Sequence, residues 1–334
     1  MSTPTQERVL AMARGFMESR VVLSGAELGL YGLLAPAPLG AEEIAARIGG
    51  SVRPLTILLD ALAALGLLEK KEGRYRTEPS AAALLAADAP GSVLPMVLHS
   101  AGLWWSWSRL TELAAPEKAR HPGSGQEQRR RDPEQLRAFI GAMHVVAAPQ
   151  ADRIVAAIRP GDARSLLDVG GGPGTYALAF LRASPGLRAT LFDQPEVVAM
   201  ARERIAAAGL LDRASFVGGD FYRDDLPGGH DLALLSAIIH QNSTAQNVEL
   251  YRKVLAALAP GGRLVIRDHV MEPDRTRPAA GAMFAVNMLV NTTGGGTYTL
   301  DEIQRSLDEA GFIRVRLLQQ GERMDGLVEA FKPA

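Results

Sequence analysis

Three carboxylates and a run of glycines are the part of this chain best suited to hold a ligand. The apolar run Ser165-Leu166-Leu167-Asp168-Val169 breaks into Gly170-Gly171-Gly172-Pro173-Gly174, and helical spacing begins at about Thr175. That pattern predicts a buried parallel strand, a tight turn and a helix N-terminus. Glycines at such a turn let a ligand lie against main chain that a side chain would cover. Residues 187–192 read as the next strand, with Asp193 at its end. It falls about 20 residues beyond the turn, where a carboxylate can take ribose hydroxyls. A third strand, 214–217, leads into Gly219-Asp220-Phe221, an acid beside an aromatic ring.

The elements that must position these groups alternate at short spacing. A fourth strand is read at 231–235, and Leu258-Ala259-Pro260-Gly261-Gly262 is read as closing a helix and opening a fifth at Arg263-Leu264-Val265-Ile266. This predicts an α/β, doubly wound parallel sheet. A nicotinamide fingerprint needs G-x-G-x-x-G. Here Gly170 and Gly172 are present, but the next glycine comes too early, and no lysine follows to make a P-loop.

Asp168-x-Gly-x-Gly, Asp193, Asp220-Phe221 and Leu258-x-Pro-Gly-Gly, in this order, resemble the class I S-adenosylmethionine-dependent methyltransferases. Over nearly the whole chain the resemblance is to the small-molecule O-methyltransferases that include caffeate, hydroxyindole and bacterial carotenoid and antibiotic enzymes. It implies a seven-stranded Rossmann-like sheet with a reversed final strand, S-adenosylmethionine as cofactor and S-adenosylhomocysteine as product. Asp168, Gly170 and Gly172 would then line the methionine end, with Ser236 also on the cofactor, Asp193 on the ribose, and Asp220 and Phe221 on the adenine. In that family a histidine after the fourth strand acts as general base in a His-Asp-Trp context. The matching segment here is Ile239-His240-Gln241-Asn242. The histidine is kept, and Gln241 and Asn242 replace the Asp-Trp pair.

The chemistry suits an imidazole. A sulfonium methyl is already activated, so the protein must position the acceptor and take its proton. A neutral imidazole, with an ordinary pKa of about 6.5, can do so near physiological pH. The resemblance places Asp268 as the acid holding His240, and Thr297 stands where the family often has a second acid. His230 and His121 read as surface or loop residues. His99, His144 and His269 read as packed, hydrogen-bonded core residues. No paired spacing suggests a metal.

The chain has 334 residues, 36 basic and 37 acidic side chains and no cysteine. Length therefore points to about two domains. The charge balance supplies no drive toward nucleic acid, and the missing cysteines exclude disulfides and thiolate chemistry. No signal-peptide pattern opens it and no apolar run approaches about 18 residues, so a cytoplasmic protein without a membrane span is expected. Residues 41–48 and a second helix opening at Pro54, followed by a hairpin around Glu72-Gly73, read as a winged helix. Its second helix carries Arg53 and little other basic surface. The resemblance assigns this domain to homodimerisation.

Domain boundaries are expected at 1–115 for the winged-helix dimerisation domain, 116–145 for a loop and linking helix, and 146–334 for the catalytic domain. A helix over 133–158 would carry Met143 toward the cofactor. Trp104, Trp105 and Trp107 read as core or as a pocket wall. Segment 283–292 has helical spacing, and the resemblance makes Met283, Phe284, Asn287, Met288 and Asn291 candidates for the acceptor pocket. The expected function is methyl transfer to a small-molecule hydroxyl. Transfer to sulfur, carbon or nitrogen, or a non-catalytic cofactor-binding or winged-helix regulatory role, stands as the alternative.

Overall fold

The computed structural model describes residues 5–87, 89, 91–115 and 133–334. Of the expected loop and linking helix at 116–145, residues 116–132, His121 among them, lie outside the described residues. The described chain forms two compact units, one of residues 5–104 with 133–145, the other of 105–115 with 146–334.

The first unit opens with α1 (Gln6–Glu27) and the short α2 (Leu30–Leu33), followed by β1 (Leu39–Gly40), α3 (Ala41–Ile48), α4 (Val52–Ala64), β2 (Leu68–Lys71), β3 (Arg74–Thr77) and α5 (Pro79–Leu85). The strands form a small antiparallel sheet in the order β1-β3-β2. Glu72 and Gly73 both have positive φ, which matches the right-handed strand twist in a two-residue hairpin. Helix α4 starts two residues before Pro54, which sits in its first turn, where a missing N–H costs nothing. Leu30, Tyr31, Ile44, Leu59, Leu62 and Tyr75 make the core. Along α1, Val9, Leu10, Met12, Phe16 and Met17 are exposed.

The chain passes between units within α6 (Leu94–Ser108) and, after α7 (Leu110–Ala114), again within α8 (Pro133–Ala147). The expected single helix over 133–158 is broken. Pro149 sits in a 3-10 turn, Ala148–Gln150, and helix resumes as α9 (Ala151–Ile158), because proline cannot donate to the helical ladder.

The second unit continues with β4 (Ser165–Val169), α10 (Thr175–Ala183), β5 (Arg188–Asp193), α11 (Pro195–Ala207), β6 (Ala214–Gly218), β7 (His230–Ser236), α12 (Thr244–Ala257), β8 (Leu258–Asp268), β9 (Val270–Met271), α13 (Ala279–Asn291), β10 (Tyr298–Thr299), α14 (Leu300–Ala310), β11 (Ile313–Gln319) and β12 (Gly326–Phe331). Seven strands pair in the order β11-β12-β8-β7-β4-β5-β6. Strands β4 to β8 are parallel and β12 is inserted antiparallel to its neighbours. Strand order reverses between β4 and β7, and in such sheets ligands bind beyond the C-terminal strand ends at that switch point. One face packs Leu167, Val169, Leu235, Leu264 and Ile266 against α12 and α14. The other packs Leu166, Leu234 and Val265 against α9 and α10. The expected stop at Pro260-Gly261-Gly262 is displaced. Helix α12 ends at Ala257, and these residues form an irregularity early in β8, opposite β7, with Gly261 at φ +74.

Candidate active site

The glycine turn between β4 and α10 is bare main chain. Gly170 and Gly172 have φ of +65 and +54, a region L side chains avoid. A Cβ on Gly170 would fall 2.4 Å from Ile238 Cδ1, whereas one on Gly172 would meet nothing within 4 Å. Asp193, at the tip of β5, accepts the Gly172 amide at 2.8 Å and the Gln194 amide at 2.7 Å. Each oxygen retains a lone pair, so the carboxylate can still take ribose hydroxyls. Asp220 Oδ1 accepts the Tyr222 amide at 2.9 Å, and the Phe221 ring lies 4.6 Å from that of Tyr222. Ser236 ends β7, its Oγ accepting from Arg267 Nη1 at 3.2 Å. An open glycine cradle with a carboxylate at its edge fits a nucleoside cofactor.

Asp168 is buried beneath this turn, and Oδ2 has no hydrogen-bond partner. Burial, then the charge of Asp193, push its carboxyl up to about 7. The unfolded chain releases this proton near pH 4, so the native state holds it over a wider range. The associated stability is full below about pH 4 and is lost as pH rises through about 7. Asp168→Asn, which mimics the protonated form, is therefore expected to raise the melting temperature at pH 8 and to leave it nearly unchanged at pH 4. The gain corresponds to roughly 3–4 kcal/mol, and equal shifts at both pH values would refute the account.

The second half of the site hangs from β7 and β8. Ser236 pairs with Arg267, so the residues just beyond each strand end lie close together. After Ala237, at φ +59, the 3-10 turn Ile239–Gln241 brings His240 over Asp268. His240 Nδ1 lies 2.9 Å from Oδ2 and 3.1 Å from Oδ1 of Asp268, and both residues are buried. Asp268 Oδ1 also accepts the His269 amide at 2.8 Å. Burial alone would raise the Asp268 carboxyl, but the His240 ring and this amide outweigh it and hold it below the usual range. An ionised Asp268 selects the tautomer with hydrogen on Nδ1 and leaves the Nε2 lone pair free to accept a proton.

The departure at Gln241-Asn242 has a structural role that sequence reasoning missed. Asn242 is fully buried. Its Nδ2 donates to Asn247 Oδ1 at 3.0 Å, its Oδ1 accepts from the Tyr222 hydroxyl, and its carbonyl accepts from the Tyr298 hydroxyl. Asn247 Nδ2 donates to the Ile239 carbonyl at 2.9 Å, and the Gly296 amide donates to the His240 carbonyl at 2.8 Å. A Cβ on Gly295 would fall 2.5 Å from that same carbonyl. The turn carrying His240 is thus clamped by amides, two phenols and glycine backbone. The available signal was Asn247, a polar residue interrupting the buried stripe Val248, Tyr251 and Val254 of α12. Tyr222→Phe, which removes one hydroxyl beside Phe221, is expected to lower kcat about 5- to 20-fold with little change in acceptor KM. A loss confined to KM would argue against positioning.

Phe284, on α13, packs its ring edge-on at 4.8 Å from the His240 ring and 5.1 Å from that of His269. Met288 is buried, whereas Met283 is exposed. Asn287 Oδ1 accepts from Trp107 Nε1 and from Asn291 Nδ2, each at 3.0 Å. These two amides therefore brace each other and a tryptophan. Met143 belongs to the other unit. Thr297 is buried, with its carbonyl on Arg275 Nη1 at 2.9 Å. His230 is not a surface residue. It begins β7, is buried, and its Nδ1 lies 2.6 Å from Ser165 Oγ, because the strand starts one residue earlier than the apolar pattern suggests. His269 is buried as expected, but its Nδ1 lacks a hydrogen-bond partner, and burial pulls its pKa down.

A doubly wound sheet with a nucleoside cradle at its switch point, and a buried His–Asp pair beside it, defines an enzyme that draws on a nucleoside cofactor to act on a small molecule. The chain belongs to the O-methyltransferase family: residues 116–313 match the O-methyltransferase domain and residues 10–87 the O-methyltransferase dimerisation domain. It is 34% identical to the 3-hydroxy-5-methyl-1-naphthoate 3-O-methyltransferase of Streptomyces sahachiroi, across 92% of this chain and 90% of the relative. It is 36% identical to the tetracenomycin polyketide synthesis 8-O-methyl transferase TcmO of Streptomyces glaucescens, across 92% and 91%. Among solved structures, human N-acetylserotonin methyltransferase in complex with SAM superposes with a TM-score of 0.80 at 26% identity, covering 100% of both chains. PigF with SAH superposes with a TM-score of 0.84 at 26% identity, covering 98% of this chain and 100% of that one. The protein is an S-adenosylmethionine-dependent O-methyltransferase acting on small molecules. Among the described residues, no helix is long and apolar enough to cross a membrane.

Proposed function

We propose that His240 is the general base for methylation of an aromatic hydroxyl, with Asp268 as its orienting partner. The observation that carries this reading is the buried contact of 2.9 Å between His240 Nδ1 and Asp268 Oδ2 at the paired ends of β7 and β8. When bound, S-adenosylmethionine supplies an electrophilic methyl group on a positive sulfur. His240 Nε2 takes the acceptor's proton, and Asp268 stabilises the resulting imidazolium. The tyrosine and asparagine clamp keeps the imidazole from swinging away, which limits the reorganisation needed at the moment of transfer. Gly170 and Gly172 would receive the cofactor's main-chain contacts, with Asp168 beneath them and Ser236 at the neighbouring strand tip. Asp193 would take the ribose, and Asp220 with Phe221 the adenine.

The acceptor would lie against Phe284, whose ring touches both imidazoles. Met288 and Met283 are the further apolar candidates, and Asn287 and Asn291 are candidates to orient polar substituents. The names of the naphthoate and polyketide relatives support a planar, fused-ring phenol. Exposed apolar side chains along α1 support a homodimer built by the N-terminal domain, with 116–145 as linker and 146–334 as catalytic domain. The test is transfer of labelled methyl groups to naphthols, hydroxynaphthoates, aliphatic alcohols and thiols. Turnover of phenols above the rest supports the reading, and label appearing mainly on thiols or aliphatic alcohols would replace it.

A further inference from the structure

Two imidazoles meet the Phe284 ring, and only one of them has been given a task. His269, between β8 and β9, is 5% exposed, and its ring lies 5.1 Å from the phenyl group that also meets His240. Its two nitrogens differ. Nδ1 is buried without a hydrogen-bond partner and faces α13, where a Cβ on Gly281 would lie 3.4 Å from it and 2.4 Å from Met271 Sδ. Nε2 makes no hydrogen bond among the described residues, yet it is not sealed from solvent as Nδ1 is.

Asp268 sets the two rings apart. Its carboxylate is spent on the His240 ring and reaches His269 through the main-chain amide. Burial pulls the His269 pKa down, so near pH 7 its ring is neutral and carries a single N–H. A buried N–H left without a partner is rarer, and costlier, than a bare acceptor. The sealed Nδ1 is therefore the bare nitrogen, and the hydrogen sits on Nε2. His240 offers a lone pair beside Phe284, and His269 offers a donor.

We propose that His269 is a specificity-determining residue for the methyl acceptor, its Nε2–H donating to a carbonyl oxygen carried on the carbon next to the methylated hydroxyl. This rests on the reading of the acceptor as a phenol lying against Phe284. In such a phenol the hydroxyl proton is tied to the neighbouring carbonyl by an internal hydrogen bond. A donor on that carbonyl competes for the oxygen and frees the proton for His240. Two contacts on one aromatic ring also fix which of several hydroxyls faces the methyl group.

Steady-state kinetics on the full chain with S-adenosylmethionine would compare 2-naphthol with methyl 3-hydroxy-2-naphthoate, two neutral phenols that differ by one ester group. The wild type is expected to favour the ester by about 10- to 100-fold in kcat/KM. His269→Phe, which keeps a flat ring and removes the donor, should lower kcat/KM for the ester about 10- to 50-fold and for 2-naphthol no more than about threefold. His269→Gln, with an amide N–H at similar reach, should keep part of the preference. A merely structural role would lower both acceptors together, and that result, or a wild type without preference, overturns the proposal. Should His269→Phe fail to fold by its melting curve, the wild-type preference and His269→Gln carry the test. If the wild type turns over thiols or aliphatic alcohols and neither naphthol, the phenol reading itself fails.

Discussion

His240→Ala is expected to lower kcat by about 10²- to 10⁴-fold, the range for loss of a positioned general base. Affinity for S-adenosylhomocysteine should stay within about threefold of wild type, because the glycine turn and Asp193 lie on other strands. That separation distinguishes the result from unfolding. The imidazole is buried, but it sits on a 3-10 turn held by Asn242, Asn247 and Gly296, whose bonds run to other groups and survive its truncation. Added imidazole should restore part of the rate, since the space left beside Phe284 has the right shape for it. Steady-state kinetics and calorimetry on one preparation provide the check. A kcat within fivefold of wild type would remove His240 from the chemistry.

Asp268→Asn is expected to cost nearly as much, about 10²- to 10⁴-fold in kcat, by analogy with amide replacement of the aspartate in serine-protease triads. Shape is conserved, so the fold should persist. What changes is the group facing His240 Nδ1. A carboxylate can only accept there, whereas an amide can present its N–H instead and reverse the imidazole tautomer. The proton then sits on Nε2, the atom that must receive one. Nitrogen NMR of labelled histidine would report the tautomer directly. Retained wild-type turnover, or a slow variant with the original tautomer, would contradict this account. Acid titration of Asp268 should not shape the rate profile near neutrality, because the His240 ring and the His269 amide hold its carboxyl below the ordinary range.

Much of this enzyme was legible before its fold. The glycine turn, Asp193 and the Asp220-Phe221 pair were visible because close main-chain approach and strand-end carboxylates leave fixed spacings in a βα repeat. The reversed final strand that the resemblance implies is β12, Gly326–Phe331, and helix α14 before it spans Leu300–Ala310. Local signals bound the helix at each end: Thr299 caps it with Glu302, and Gly311 at φ +99 ends it. The linking helix was misread because apolar spacing continues across Pro149, where the backbone ladder does not.

Local order along the chain thus determined the strands and the glycine turn, since each depends on neighbours a few residues apart, while the resemblance carried by those motifs pointed to the chemistry and to His240. Tertiary structure alone decided what holds the turn that carries His240. Tyr222, the segment from Asn242 to Asn247 and the segment from Gly296 to Tyr298 lie about 20 and about 50 residues apart in sequence, and no local spacing encodes their meeting. A polar atom reveals its need for a partner only once folding has closed off the solvent.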